Sequence, residues 1–283
     1  MERRLNINAL LRRHGIRPRR SWSQNFLVDE QVLDGIVAAA RVDGLAVIEL
    51  GAGPGMLTAR LARRAARVIA VERDRRLARV LRAEFAGDRV VRVEEANAAR
   101  LDYTAWRREL GEPPVVVGNL PYHMAAPILF GLLEQVAQLR RFVLMFQREM
   151  AERILAGSGN RRSGVLGVLV QNSTRVEQVL QVPPGAFHPA PRVHSSVLLF
   201  EPREKTLVDG DLHPWFVRVV KAAFAQRRKK VRNALLALVG RDHAGLLDRS
   251  LAEAGIDGND RPERIELDQF AELARRLRAA SGP

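Results

Sequence analysis

The chain has 283 residues, 47% of them apolar, which is enough for a substantial buried core and excludes a fully disordered protein. It has no cysteine, so disulfides, thiolate metal sites and a cysteine nucleophile are ruled out, and an intracellular setting fits. The formal charge of +14 favours a polyanionic partner, either nucleic acid or an anionic membrane surface.

Met1 to Arg20 carries Arg3, Arg4, Arg12, Arg13, Arg17, Arg19 and Arg20 without the apolar stretch of a secretory signal, although organelle presequences share that composition. No apolar run approaches the ~20 residues of a membrane helix, so a soluble, cytoplasmic protein is expected. Gln31 to Ala40 sets Val32, Leu33, Ile36, Val37 and Ala40 at helical spacing. Ala46 to Leu50 reads as a buried strand running into Gly51-Ala52-Gly53-Pro54-Gly55, with a helix expected next through Leu57, Leu61 and Ala62. Val68 to Val71 is a second strand ending at Glu72, Arg76 to Phe85 a helix, and Val90 to Val93 a third strand. After Pro113-Pro114, Val115 to Val117 forms a fourth strand, ending at Gly118-Asn119-Leu120-Pro121-Tyr122. A helix from Ile128 to Val136 precedes a fifth strand, Phe142 to Phe146. Thr174 to Val182 and Val193 to Phe200 suggest a strand pair with a longer loop. Arg203 to Asp211 reads as a linker, and the remainder is helical, with Phe216, Val219, Val220 and Ala223 on one face.

Alternating strands and helices with near-continuous apolar strands predict an α/β fold, a parallel sheet with helices on both faces. The expected division is an α/β domain over 1–205, with a basic N-terminal extension, and a small helical domain over 206–283.

Gly51, Gly53 and Gly55 lie where an open α/β sheet binds ligands, beyond the carboxyl ends of its strands. Glu72, ending the next strand, can accept both ribose hydroxyls of an adenosine. A dinucleotide fingerprint needs a third glycine at position 56, which is Met56. The G-x-G-x-G turn after Glu49 instead resembles the first motif of S-adenosylmethionine-dependent methyltransferases. At the fourth strand end, Asn119 and a backbone carbonyl of Leu120 or Pro121 can accept hydrogen bonds from an adenine amine. Such contacts aim the lone pair of a weak nucleophile at a methyl group. Tyr122 offers a face on which a flipped base stacks, worth ~1–3 kcal/mol.

Asn119-Leu120-Pro121-Tyr122 matches the [DNS]-P-P-[YFW] class of amino-methyltransferase motifs and resembles that of rRNA adenine N6-methyltransferases. Ser23-Gln24-Asn25-Phe26-Leu27 is similar to that family's Q-N-F-L element, and Pro184 to Val193 to its loop between the last two strands. Ala223 to Asn233 resembles the C-terminal domain of the small-subunit (16S) rRNA adenine N6,N6-dimethyltransferases, the KsgA family, more than that of macrolide-resistance enzymes. The resemblance spans roughly residues 20 to 275.

It implies a Rossmann-like methyltransferase sheet with a C-terminal helical domain and S-adenosyl-L-methionine as methyl donor. The donor would be held by Asn25, Leu27, Gly51, Gly53, Glu72, Asn97 and Asn119. Asn119, Leu120, Pro121, Tyr122 and Phe187 would serve the target base, Phe187 sandwiching it opposite Tyr122. The implied activity is dimethylation of two adjacent adenosines in the 3′-terminal hairpin of 16S-type rRNA within a small-subunit assembly intermediate. The alternatives are a resistance-type 23S rRNA methyltransferase and a non-catalytic RNA-binding assembly factor. Asn97 stands where the family has aspartate, with Glu95 as a substitute if the alignment shifts by two. His123 follows the tetrapeptide where the family tends to asparagine and reads as a local turn contact.

Lys221, Arg227, Arg228, Lys229, Lys230 and Arg232 form a basic run with no acid among them, expected to contact RNA phosphates. His188 and His194 lack metal-site spacing, so no metal is expected. A monomer with no membrane partner completes the expectation.

Overall fold

The computed structural model describes residues 6–19, 24–226 and 228–280. Arg3, Arg4, Arg20, Ser23 and Arg227 of the sequence reading lie outside them. Two compact units form, Met1–Ala151 with Val176–Pro202, and Glu152–Arg175 with Arg203–Pro283.

In chain order the first unit begins with α1 (Ile7–Arg13), β1 (Phe26–Leu27), α2 (Glu30–Ala40), β2 (Ala46–Leu50) and α3 (Thr58–Leu61). It continues through β3 (Arg67–Val71), α4 (Arg75–Glu84), β4 (Val91–Glu94), α5 (Tyr103–Leu110), β5 (Val115–Asn119), α6 (Ala125–Glu134) and β6 (Arg141–Gln147). α7 (Arg148–Leu155) leads into the second unit, which holds α8 (Val165–Ser173), and β7 (Thr174–Val182) returns to the first. β8 (Phe187–His188) and β9 (Ser195–Pro202) complete the first unit.

The main sheet has seven strands in the order β4-β3-β2-β5-β6-β9-β7. From β4 to β6 all pairs are parallel, while β9 runs antiparallel to β6. The strand pair expected at the end of the first unit thus extends the same sheet. All five residues of β2 are buried. Because side chains alternate between faces, both faces of the sheet must be covered there. The chain leaves β2 towards β3 on one side and later returns to place β5 on the other. The crevice between β2 and β5 is the switch point at which such sheets bind ligands.

The helix expected after the glycine turn is shorter than predicted, confined to Thr58–Leu61. Gly51, Gly53 and Gly55 have φ of +69°, +57° and +95°, so the chain stays in turns and Leu57 only caps the helix. α2 begins cleanly because the Asp29 carboxylate accepts a hydrogen bond from the Val32 N–H (3.0 Å). A two-residue antiparallel pair, β1 with β8, lies apart from the main sheet and aligns Phe26 with His188 and Leu27 with Phe187.

The second unit adds α9 (Leu212–Phe224), α10 (Val231–Val239), α11 (Ala244–Glu253) and α12 (Leu267–Ala280). Phe216, Val219, Val220 and Ala223 are buried, as their spacing predicts, with Leu235, Leu251, Phe270 and Leu273 in the same unit. Residues 152–175 belong here for a visible reason. Asn172, fully buried, accepts from the Val208 N–H (2.7 Å) and donates to its carbonyl (3.3 Å). Among the described residues no helix is long and apolar enough to cross a membrane.

Candidate active site

Parallel registry brings the motifs together. Leu50 is paired with Gly118, so the glycine turn leaving β2 lies beside Asn119 at the end of β5. Leu50 is also paired with Val71, whose carbonyl accepts from the N–H groups of Gly51 (2.9 Å) and Ala52 (3.1 Å). Glu72 therefore emerges next to the turn. On the far side of β3, Val71 is paired with Glu94, and the chain beyond β4 brings Asn97 to the same end.

A cavity of about 350 Å³ opens there, within the range of small-ligand sites. Asn25, Leu27, Gly51, Gly53, Glu72, Asn97, Asn119, Leu120, Pro121, Tyr122 and Phe187, every donor-site and target-base residue expected from sequence, line it. Glu49, Gln24 and His123 line it as well.

The Glu72 carboxylate accepts one backbone N–H on each oxygen, from Gly53 (2.8 Å) and Asp74 (2.7 Å). The lone-pair capacity left on the carboxylate suits the hydroxyls of a ribose. Burial pushes the Glu72 pKa upwards, and the backbone N–H donors of Asp74, Gly53 and Arg73 oppose it. Gly53 can present its N–H this way because it sits in the left-handed region, and a Cβ there would meet the Phe26 ring at 3.4 Å. Glu49, 2% exposed, accepts from the Thr58 hydroxyl (2.6 Å) and backbone N–H, and burial outweighs both, raising its pKa to about 8.

Asn97 caps a single 3₁₀ turn, its amide oxygen accepting from the Ala99 N–H (3.1 Å). Glu95 turns elsewhere, to Arg75 (2.8 Å) and Arg82 (3.7 Å), and is not among the lining residues. Asn97, not Glu95, is therefore the polar side chain available at this wall. Gln24 joins its side-chain amide to Asp74 (3.0 Å). Asp74 is held at about 2: burial works against ionisation, but Arg76 and Gln24 outweigh it.

At the β5 end, the Asn119 amide nitrogen donates to the Asn25 carbonyl at 3.4 Å, which turns its oxygen the other way. The Pro121 carbonyl already accepts from the Met124 N–H (2.8 Å), closing the 3₁₀ turn Tyr122–Met124. Of the two carbonyls considered from sequence, that of Leu120 is the less engaged. The Tyr122 hydroxyl meets Ser195 Oγ at 3.0 Å. Burial raises the phenol's pKa, so the ring stays neutral. Phe187 is buried, held by its pairing with Leu27, while the Ala186 carbonyl accepts from Val28 N–H (2.9 Å) and Asp29 N–H (3.2 Å). Residues 25–27 and 187 are thus one backbone-linked wall. Ser195 and Thr58 carried no signal in sequence, since neither belongs to a recognised motif and each depends on a partner outside its own segment.

The basic run lies in the second unit. Lys221, Arg228, Lys229 and Lys230 are exposed, Arg227 lies outside the described residues, and the Lys230 ammonium donates to Asn259 (2.7 Å). Arg232 forms a two-pronged pair with Asp248 (2.5 and 2.9 Å), so its fork is already engaged.

A seven-stranded sheet with a glycine turn, a buried carboxylate and an Asn-Leu-Pro-Tyr segment at one switch point defines the amino-methyltransferase class. The family model described as ribosomal RNA adenine dimethylase matches residues 15–279, and the chain belongs to that family. Among its relatives is the ribosomal RNA small subunit methyltransferase A of Anaeromyxobacter sp. (strain K), 50% identical over 95% of this chain and 96% of the relative. The protein of the same name from Geobacter sulfurreducens is 42% identical over 96% of this chain and 99% of its own length. Among solved structures, the 23S rRNA methyltransferase ErmE aligns with a TM-score of 0.66 and 27% identity over 90% of this chain and 100% of that one. A dimethyladenosine transferase from Plasmodium falciparum shares the fold, with a TM-score of 0.71 at 24% identity over 88% and 95% of the two chains.

Proposed function

We propose that this protein dimethylates N6 of two adjacent adenosines in the 3′-terminal hairpin of 16S-type rRNA, acting as a cytoplasmic monomer on a small-subunit assembly intermediate. The carrying observation is that Asn119, Tyr122 and Phe187 share one cavity with Glu72 and the glycine turn. The relatives named for the small subunit, at up to 50% identity, favour that substrate.

The donor residues fit S-adenosyl-L-methionine: a buried carboxylate with lone pairs to spare, positive-φ glycines, and a neutral amide at Asn97. The donor supplies an electrophilic methyl group on a sulfonium. Tyr122 and Phe187 cover the two faces of the flipped adenine. Asn119 Oδ1 and the Leu120 carbonyl accept the two N6 hydrogens, so that the nitrogen lone pair faces the donor. With the donor bound, attack of N6 on its methyl carbon would break the C–S bond, S-adenosylhomocysteine would leave, and the N6 proton would pass to solvent. Orientation and water exclusion supply most of the rate, because charge is neutralised rather than created in the step. The exposed cations of the second unit hold the rRNA by its phosphates.

The likeness to a 23S rRNA methyltransferase supports a second reading, a large-subunit substrate. Purified small and large subunits offered with labelled methyl donor separate the two. Label confined to the large subunit would overturn the first.

A further inference from the structure

β9 is an apolar core strand, with Val197, Leu198, Leu199 and Phe200 all 2% exposed or less. Its first residue, Ser195, is a hydroxyl buried to 1% exposure, opposite Gln147 at the end of β6. A hydroxyl buried there costs free energy unless it is paired. Its side-chain partner among the described residues is the Tyr122 hydroxyl, 3.0 Å away. Ser195 does not line the cavity, so anything it contributes to the reaction passes through that phenol.

Tyr122 is constrained at both ends. Its Cα follows Pro121 in a 3₁₀ turn closed by the Met124 N–H to Pro121 carbonyl bond (2.8 Å). Its two side-chain torsions would otherwise let the ring swing across the cavity. A hydrogen bond at the far end of the ring removes that freedom. Ser195 also ends the connection that starts from Phe187, whose own place is set by pairing with Leu27. The two aromatic side chains are thereby referred to one stretch of backbone.

We propose that Ser195 is a positioning residue for methyl transfer, its hydroxyl holding the Tyr122 ring in the plane that stacks on the target purine. This rests on the reading that Tyr122 covers the flipped base. Stacking only needs the ring in place when the base arrives, so loss of the serine hydroxyl lowers turnover and leaves the donor site intact.

The test uses the full chain with unmethylated small ribosomal subunits and compares Ser195→Ala, Tyr122→Phe, the double variant and Tyr122→Ala. Readouts are kcat, KM for subunits, donor affinity by calorimetry and thermal midpoint. One neutral hydrogen bond is worth about 0.5–1.5 kcal/mol, so Ser195→Ala is expected to lower kcat by up to about tenfold, with donor affinity within twofold. Tyr122→Phe is expected to match it, and the double variant to be no slower than either, since all three break the same bond. Wild-type kcat in Ser195→Ala, or losses that multiply in the double variant, overturns the positioning role. Full activity in Tyr122→Ala instead overturns the stacking reading beneath it, and the two failures are distinguishable.

Discussion

Asn119 has two chemically different ends, and the fold uses both. Its amide N–H₂ is directed to the Asn25 carbonyl, so its oxygen is left for the target amine. Asn119→Ala is therefore expected to collapse turnover by at least a hundredfold while rRNA affinity stays within a few-fold, as checked by single-turnover kinetics beside filter binding. Turnover near that of the parent would remove the residue from the mechanism. Glu49 presents the opposite situation, a buried carboxylate whose hydrogen-bond donors among the described residues, both from Thr58, are neutral. With its pKa raised to about 8, the folded chain without donor retains a proton that the unfolded chain releases near 4.5. Folding stability contributed by this group therefore falls as pH rises from about 4.5 to about 8, then levels off. Glu49→Gln should melt higher than the parent near pH 8.5 and converge with it towards pH 4.5. A difference independent of pH would contradict this assignment.

Among the elements, the glycine turn is the most exacting. Gly53 holds φ at +57° and donates to Glu72, so Gly53→Ala forces a side chain into the left-handed region next to Phe26. That conformation costs about 1–2 kcal/mol, a loss that urea unfolding would read, and the displaced N–H should weaken donor binding in parallel. An unchanged midpoint would mean that the turn relaxes without cost. This element also shows where sequence reading stops. β2, β3, β5 and β6 were legible because buried parallel strands are near-continuous apolar runs. The helix after the turn was overestimated, because Leu57 and Leu61 kept helical spacing while three positive-φ glycines held the chain in turns as far as Leu57. The β1–β8 pair, two residues long on each side, is too short for any periodicity to reveal. Val165 to Ser173 is apolar enough to pass for a strand, and only its helical hydrogen bonding distinguishes it. The expected residues that line the cavity were readable because most lie at or just beyond a strand end marked by a motif. Ser195 was not, since its partner lies 73 residues away and nothing local requires a hydroxyl there.

For the molecule as a whole, charge governs the encounter with RNA. A net +14 would be of little use if every cation were internally paired, and several arginines are: Arg232 with Asp248, Arg64 with Asp43, Arg60 with Asp34. Neutralising Arg227, Arg228, Lys229 and Lys230 together should weaken rRNA binding and flatten its salt dependence by up to ~0.7–0.9 log units per lost phosphate contact. Donor affinity should be untouched. Weakened donor binding with rRNA binding intact would place the RNA surface elsewhere. The most direct test of the central claim is to supply purified protein with methyl-labelled S-adenosylmethionine and ribosomal subunits from cells lacking this activity, then map the label in the rRNA by sequencing. Label is expected on N6 of two neighbouring adenosines near the 3′ end of the small-subunit RNA, absent with Asn119→Ala. Label on another atom or only in large-subunit RNA, or no transfer despite donor binding, would contradict it.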